Sequence, residues 1–197
     1  GAVDLTSKVS GILPVANGGT GVINTTGTIL QTVVHQEDGM TSFTAGTAPA
    51  DLLLIASNAD DSTSHLSLSI TPTSTSSKIL LTTSVFFESS STNNQDFLWS
   101  LYRDSTKLGQ PNVGSRRGGI MGSAVGYGAG ADASTTPDFV SFSYYDTPIT
   151  TSAITYAVAF NHSADSVVAY LNRTATDGDT LENERGVSIL IAQEIGG

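Results

Sequence analysis

The chain has 197 residues, with eight Lys and Arg against eighteen Asp and Glu, and a formal charge of −10 at pH 7. This length fits one well-buried core, or a short lead-in and one domain of about 150 residues, and the negative field repels phosphate backbones and anionic lipid alike, which argues against a nucleic-acid partner. Zero cysteines exclude disulfides, thiolate metal sites and a Cys nucleophile, and the longest apolar run, residues 52–56, is far below the ~18–20 residues a spanning helix requires, so no membrane insertion is expected.

Serine and threonine number 26 each, while only 13% of residues are charged. A helical surface uses Glu, Lys and Arg; strands whose outer faces are hydroxyls use Ser and Thr. The chain starts without Met or a leader-like segment, which reads as a piece cut from something longer. Residues 1–26 read as an extended lead-in, VDLTSKVSGILPVANGGTG at its centre. There Pro14 fixes one φ and removes a donor, and Asn17, Gly18, Gly19 and Gly21 permit positive φ and close backbone approach. A phosphate cradle needs a helix behind such glycines, and only strands follow.

Residues 27–197 read as one head domain. GTILQTVVH (Gly27 to His35) is β-branched and apolar, and SHLSLSITP (Ser64 to Pro72) alternates cleanly, placing Leu66, Leu68 and Ile70 on one face. After the TPTSTSS turn, KILLTTSVFFES puts Ile79, Leu81, Val85 and Phe87 on one face. Further strands are expected over DFLWSLYRD (96–104), DFVSFSYYD (138–146), SAITYAVAFN (152–161), VVAYLN (167–172) and RGVSILIAQEI (185–195). No stretch keeps helical apolar spacing for more than two turns. The expected fold is all-β, an antiparallel two-sheet sandwich of jelly-roll type. The longest irregular stretch, Gly109 to Pro137, holds eight glycines and the chain's only Arg-Arg pair, the kind of loop that is functional, mobile or held by a neighbouring subunit.

Catalytic signatures are scarce. His35, His65 and His162 lie far apart with no second ligand at metal spacing. No Gly-x-Ser-x-Gly elbow, Walker-type loop or dinucleotide fingerprint is present, and the GYGAG of residues 126–130 has no helix behind it. Glu88, Asp96, Asp104, Asp138 and Asp146 flank strands, where turn chemistry puts acids; a glycan-cleaving pair among them is the weaker reading. DGDTLENE (177–184) reads as a solvated acidic hairpin loop around Asp177-Gly178, with Ca²⁺ binding as the alternative. Asn-x-Ser/Thr triplets at Asn24, Asn161 and Asn172 read as chance in so hydroxyl-rich a chain. No cofactor and no metal is expected. Trp99 is expected in the core or a subunit interface, and Tyr144 and Tyr145 on opposite faces of a strand. Arg116, Arg117 and Tyr127 of the glycine-rich stretch, with Tyr145, are the candidate ligand-binding residues; incidental loop charge is the competing reading.

The lead-in resembles a segment of bacteriophage tail fibres and other phage tail proteins, with a D-L-T-x-K-V-x-G-x-L-P-V-x-N-G-G-T-G pattern ahead of a downstream domain. SITPTSTSSKILL, the LYRDSTKLGQ hairpin, GSRR, YYDTPITTSAITYAV, AYLNRTATDGD and RGVSILIAQEIGG are similar in that order to the C-terminal β-domains of phage fibres. The resemblance implies a homotrimeric virion protein of a tailed phage, contacting other tail proteins and a bacterial glycan or outer-membrane protein. Pro14, Asn17, Gly18, Gly19 and Gly21 then form a compact turn at a crowded threefold axis, joining shaft to head. It would also send one face of DFLWSLYRD and VVAYLN to the sandwich and the other to the trimer axis. The alternatives are a purely structural virion part, such as a collar, connector or capsid-decorating knob, and a glycan depolymerase.

Overall fold

The computed structural model describes residues 26–45, 51–53, 66–89, 96–123 and 134–197. Among them are twelve strands and no helix: β1 (Ile29–Glu37), β2 (Thr41–Thr44), β3 (Leu52–Leu53), β4 (Ser67–Ile70), β5 (Lys78–Ser89), β6 (Phe97–Arg103), β7 (Thr106–Leu108), β8 (Met121–Ser123), β9 (Asp138–Asp146), β10 (Ile154–Asn161), β11 (Val168–Leu171) and β12 (Ser188–Ile195). The expected lead-in, apart from Thr26, lies outside the described residues.

Several short strands follow one another along a single neighbour. β12 and then β11 lie along the same side of β5, with β1 and β2 paired to them in turn. In the same way β3 and β4 share one side of β10, and β7 and β8 one side of β6. The twelve strands therefore occupy eight rows: β1/β2, β3/β4, β5, β6, β7/β8, β9, β10 and β11/β12. The front sheet takes rows one, eight, three and six; the back sheet takes rows two, seven, four and five, all neighbours antiparallel. That interleaving is the double Greek key of a jelly roll, the expected architecture.

Period-two burial made this legible. In β5, Ile79, Leu81, Val85 and Phe87 are buried while Leu80, Thr82, Ser84 and Phe86 between them are half-exposed. Leu66, Leu68 and Ile70 enter the core from the opposite sheet. An aromatic cluster joins the sheets: the Trp99 ring meets Phe87 at 4.9 Å and Phe160 at 5.6 Å, and Phe87 meets Phe97 at 5.3 Å. Edge-to-face geometry suits the ring quadrupoles, and the buried indole Nε1–H donates to Ser123 Oγ at 2.7 Å. Trp99 is thus a core residue, as expected.

Two expectations change. The stretch from Gly109 to Pro137 is not wholly irregular: Met121–Ser123 forms β8, paired to β6. Met-Gly-Ser carries no strand pattern, so its pairing is imposed by the open edge of β6. The outer face of β6 is also covered by the chain itself. Leu98 lies against the backbone of Gly119, where a Cβ would stand 2.7 Å from its Cγ, and Tyr102 donates to Asp51.

The first and last described residues meet at one pole. Gly27 N–H donates to Gly196 O at 2.7 Å, and Gly196 N–H to Thr28 O at 2.9 Å. The described residues flanking 46–50, 90–95 and 124–133 lie at the other pole, around Phe87, Phe97 and Val167.

Candidate functional site

The far pole and its side are organised by a polar network that no sequence motif announces. Lys107 Nζ lies 2.7 Å from Asp51 Oδ2 and donates to Gly118 O at 2.7 Å. Tyr102 Oη donates to Asp51 Oδ2 at 2.7 Å, and Asn161 Nδ2 donates to Asp51 Oδ1. Burial, the hydrogen bond to Asp51 and its negative charge push the Tyr102 hydroxyl well above the usual range, so it stays a donor. Arg117 completes the chain of contacts, donating to Asn161 Oδ1 at 2.8 Å and Asp96 O at 2.9 Å.

Of the candidate ligand-binding residues, Arg117 is therefore framework: its guanidinium ties the 109–120 excursion to the ends of β6 and β10. Arg116 is different. It closes a tight turn with Val113, their N–H groups bonding reciprocally at 3.0 and 3.1 Å, and its side chain is exposed next to a Val113 that is also exposed. Tyr127, like Pro14, Asn17, Gly18, Gly19 and Gly21, lies outside the described residues.

Tyr145 stands apart from the Arg117 anchor. It pairs with Leu80 on β5, seven residues from Phe87, and Phe87 touches Phe97 at the pole where Arg117 is anchored. Tyr145 thus sits seven residues along the strand from that pole, while its neighbour Tyr144 approaches the 109–120 excursion at Gly109 and Gly119. Tyr144 turns inward against the core while Tyr145 is 56% exposed, the opposite-face arrangement the strand period requires.

The acids are bound into the framework. Asp146 accepts both Arg103 Nη1, at 3.0 Å to each oxygen, and Tyr156 Oη at 2.7 Å; burial and that carboxylate push the Tyr156 hydroxyl far up. Asp104 accepts Thr155 N–H, Asp96 accepts Ser163 Oγ, Asp138 accepts Phe139 N–H and buried Glu88 accepts Ala175 N–H at 2.6 Å. Asp177 pairs with Arg185 at 3.0 Å across the base of the acidic excursion. His162 is buried, accepting Ala164 N–H at 2.9 Å with its ring against Phe97. Among the described residues no group of three or more His, Cys, Asp or Glu is placed to hold a metal ion. A shallow cavity of about 270 Å³ opens beside Tyr144, lined by Gly109, Gln110, Gly119 and Ile120.

The outer face of the front sheet is the other distinctive surface. Reading across cross-strand partners, it carries Val34, Ile191, Thr82 and Ser143 in one line and Thr32, Gln193, Leu80 and Tyr145 in the next. Gln36, Ile189, Ser84 and Ser141 form a third line, with Phe139 beside Phe86. Val34, Tyr145 and Phe139 are more than half exposed. Along β5 this face runs from Lys78, opposite Ile195, to Glu88, opposite Tyr170.

No family model matches the chain, and no curated protein matches it. Solved structures similar to it include the Gt strain of infectious bursal disease virus, at 12% identity and a TM-score of 0.36, covering 85% of this chain and 39% of that one. The VP2 subviral particle of the same virus is similar at 13% identity and a TM-score of 0.35, covering 84% and 38%. The chain thus spans about two fifths of the length of these structures.

Proposed function

We propose that this chain is the displayed head of a tailed-phage fibre: a virion structural domain that works as a homotrimer, docks on other tail proteins through its lead-in, and attaches to a bacterial glycan or outer-membrane protein without catalysing a reaction. The observation that supports this reading is the polarity of the head. Residue 27 enters and residue 196 leaves at one pole, directly after the stretch that resembles fibre lead-ins, while the flanks of three connections and the Arg117 anchor gather at the other. A fibre needs that layout, with a rigid frame between the attachment point and the surface it presents. Three copies per fibre then convert weak single contacts into avidity.

The test is a binding assay with the fluorescently labelled chain on susceptible and resistant host cells. Saturable binding to susceptible cells, together with competition against virion adsorption, is the expected result. Absence of binding to every susceptible host tested, with the folded chain located away from the fibre tip in virion images, would overturn it and assign a collar or connector instead.

A further inference from the structure

We propose that the outer face of the front sheet is the surface through which one copy of this chain packs against the next. The proposal deepens the homotrimer in the reading above by assigning its interface, and it rests on that self-association.

Three observations converge. The first is chemical. A sheet face turned to water ordinarily alternates core-facing apolar residues with charged and polar ones, yet this face exposes Val34, Phe139 and Tyr145 around half-exposed Leu80, Ile189 and Ile191. Contiguous apolar surface of this kind marks association sites. The second is electrostatic. Each chain carries a formal charge of −10, so copies repel unless they meet where carboxylates are absent. The three cross-strand lines of this face are built from Val, Ile, Leu, Tyr, Thr, Ser and Gln without one acid. The back sheet is overlaid by Asp51, Lys107 and the 109–120 excursion; on the front sheet the 173–187 excursion covers only the Phe86–Glu88 end, through Gly186 and Ala175, and leaves the three lines open.

The third is positional. Residue 27 leads into β1, an outer row of this same sheet. Ile29, opposite Ile195, is 52% exposed there. The most exposed apolar residues also sit on the two flanks of the face, Ile29 and Val34 on β1, Phe139 and Tyr145 on β9. A closed cyclic trimer uses heterologous contacts, and the β1 flank of one copy against the β9 flank of the next supplies them.

The test is light scattering coupled to gel filtration of the full chain, alone and as Val34→Glu and Tyr145→Glu. Both positions are more than half exposed, so the fold tolerates them, and far-UV circular dichroism of each variant checks that it does. Leu181→Glu, on the fully exposed residue of the acidic excursion, is the control. The expected result is three times the 20.3 kDa chain mass for the parent and the control, and a fall toward the single-chain mass for both flank variants. A parent that is already monomeric overturns the self-association reading and this proposal together. A trimeric parent whose flank variants stay trimeric overturns this proposal alone and leaves the trimer to another surface.

Discussion

Ser188 Oγ donates to Asn172 Oδ1 at 2.6 Å, and this contact closes the break between β11 and β12, where the chain leaves the sheet for residues 173–187 and returns. Ser188 Oγ also accepts Phe86 N–H at 3.0 Å, while Asn172 Nδ2 donates to Glu37 O at 2.8 Å and Gly39 O at 2.9 Å across the matching break between β1 and β2. Asn172 is fully buried with φ +59°, a conformation asparagine accepts more readily than most residues. One amide thus satisfies backbone groups that two broken rows would otherwise leave unpaired.

Asn172→Ala removes that amide and strands two carbonyls and a hydroxyl in the interior. A loss of about 2 to 4 kcal/mol is expected, because buried polar groups left without partners cost more than the bonds themselves contribute. Urea unfolding measures it, and a change below about 0.5 kcal/mol would show that the break is held some other way.

Glu194 gives the fold an acid limit. Burial raises its pKa, but donors around it win: Thr73 N–H and Oγ1 at 2.7 Å each and Gln31 Nε2 at 2.6 Å, bringing it from 4.5 to about 2. Ser77 adds to the lowering from a position where its Oγ forms no well-aligned hydrogen bond. The folded state therefore binds the proton less well than the unfolded chain. Its stabilisation is complete above about pH 5 and is lost as pH falls toward 2, an upper limit of roughly 3 kcal/mol. Glu194→Gln should flatten this acid limb, so the stability difference from the parent narrows between pH 5 and 3.

Tyr156 and Arg103 share the carboxylate of Asp146. Tyr156→Phe removes one hydrogen bond and leaves the Arg103 pair intact, costing about 1 kcal/mol. Asp146→Ala leaves the Tyr156 hydroxyl buried without its acceptor and Arg103 without its partner, costing about 2 to 4 kcal/mol. Thermal melts of the two variants should preserve that order.

Arg116 and Arg117 separate binding from stability. Arg117→Ala should lower the melting temperature, since Asn161 Oδ1 and Asp96 O lose their donor. Arg116→Ala should leave it within about 1 °C of the parent, as surface substitutions free of such features do, while weakening attachment to susceptible cells. Equal melting temperatures for the two would contradict the division.

Where periodicity and end signals coincided, the fold was readable. Asp138 and Asp146 bracket an alternating run, and β9 occupies those residues; Ile79 to Phe87 alternates, and β5 buries that face. Elements set by long-range pairing were not. β8 exists because β6 presents an open edge, and Leu52-Leu53 pairs with Ala159 and Phe160 more than a hundred positions away. Asn172 sat inside an Asn-Arg-Thr triplet that read as chance, since nothing local reveals that its amide will face two carbonyls. Spacing along a chain likewise carries no information about which end of a sandwich a residue reaches: Tyr145 lies seven strand residues from the pole that Arg117 anchors.

The excursions 109–120 and 173–187 leave a row and rejoin that same row with pairing in register on both sides. Residues added at their exposed turns, around Gly114–Ser115 and around Leu181, leave the strand pairing and the anchors Arg117 and Asn172 in place, and loop closure penalises added residues only slowly. The jelly roll therefore carries two ports where sequence length can vary independently of its frame. A frame built this way can diversify its outline by insertion and deletion, at a rate set by what the outside selects rather than by what the core tolerates.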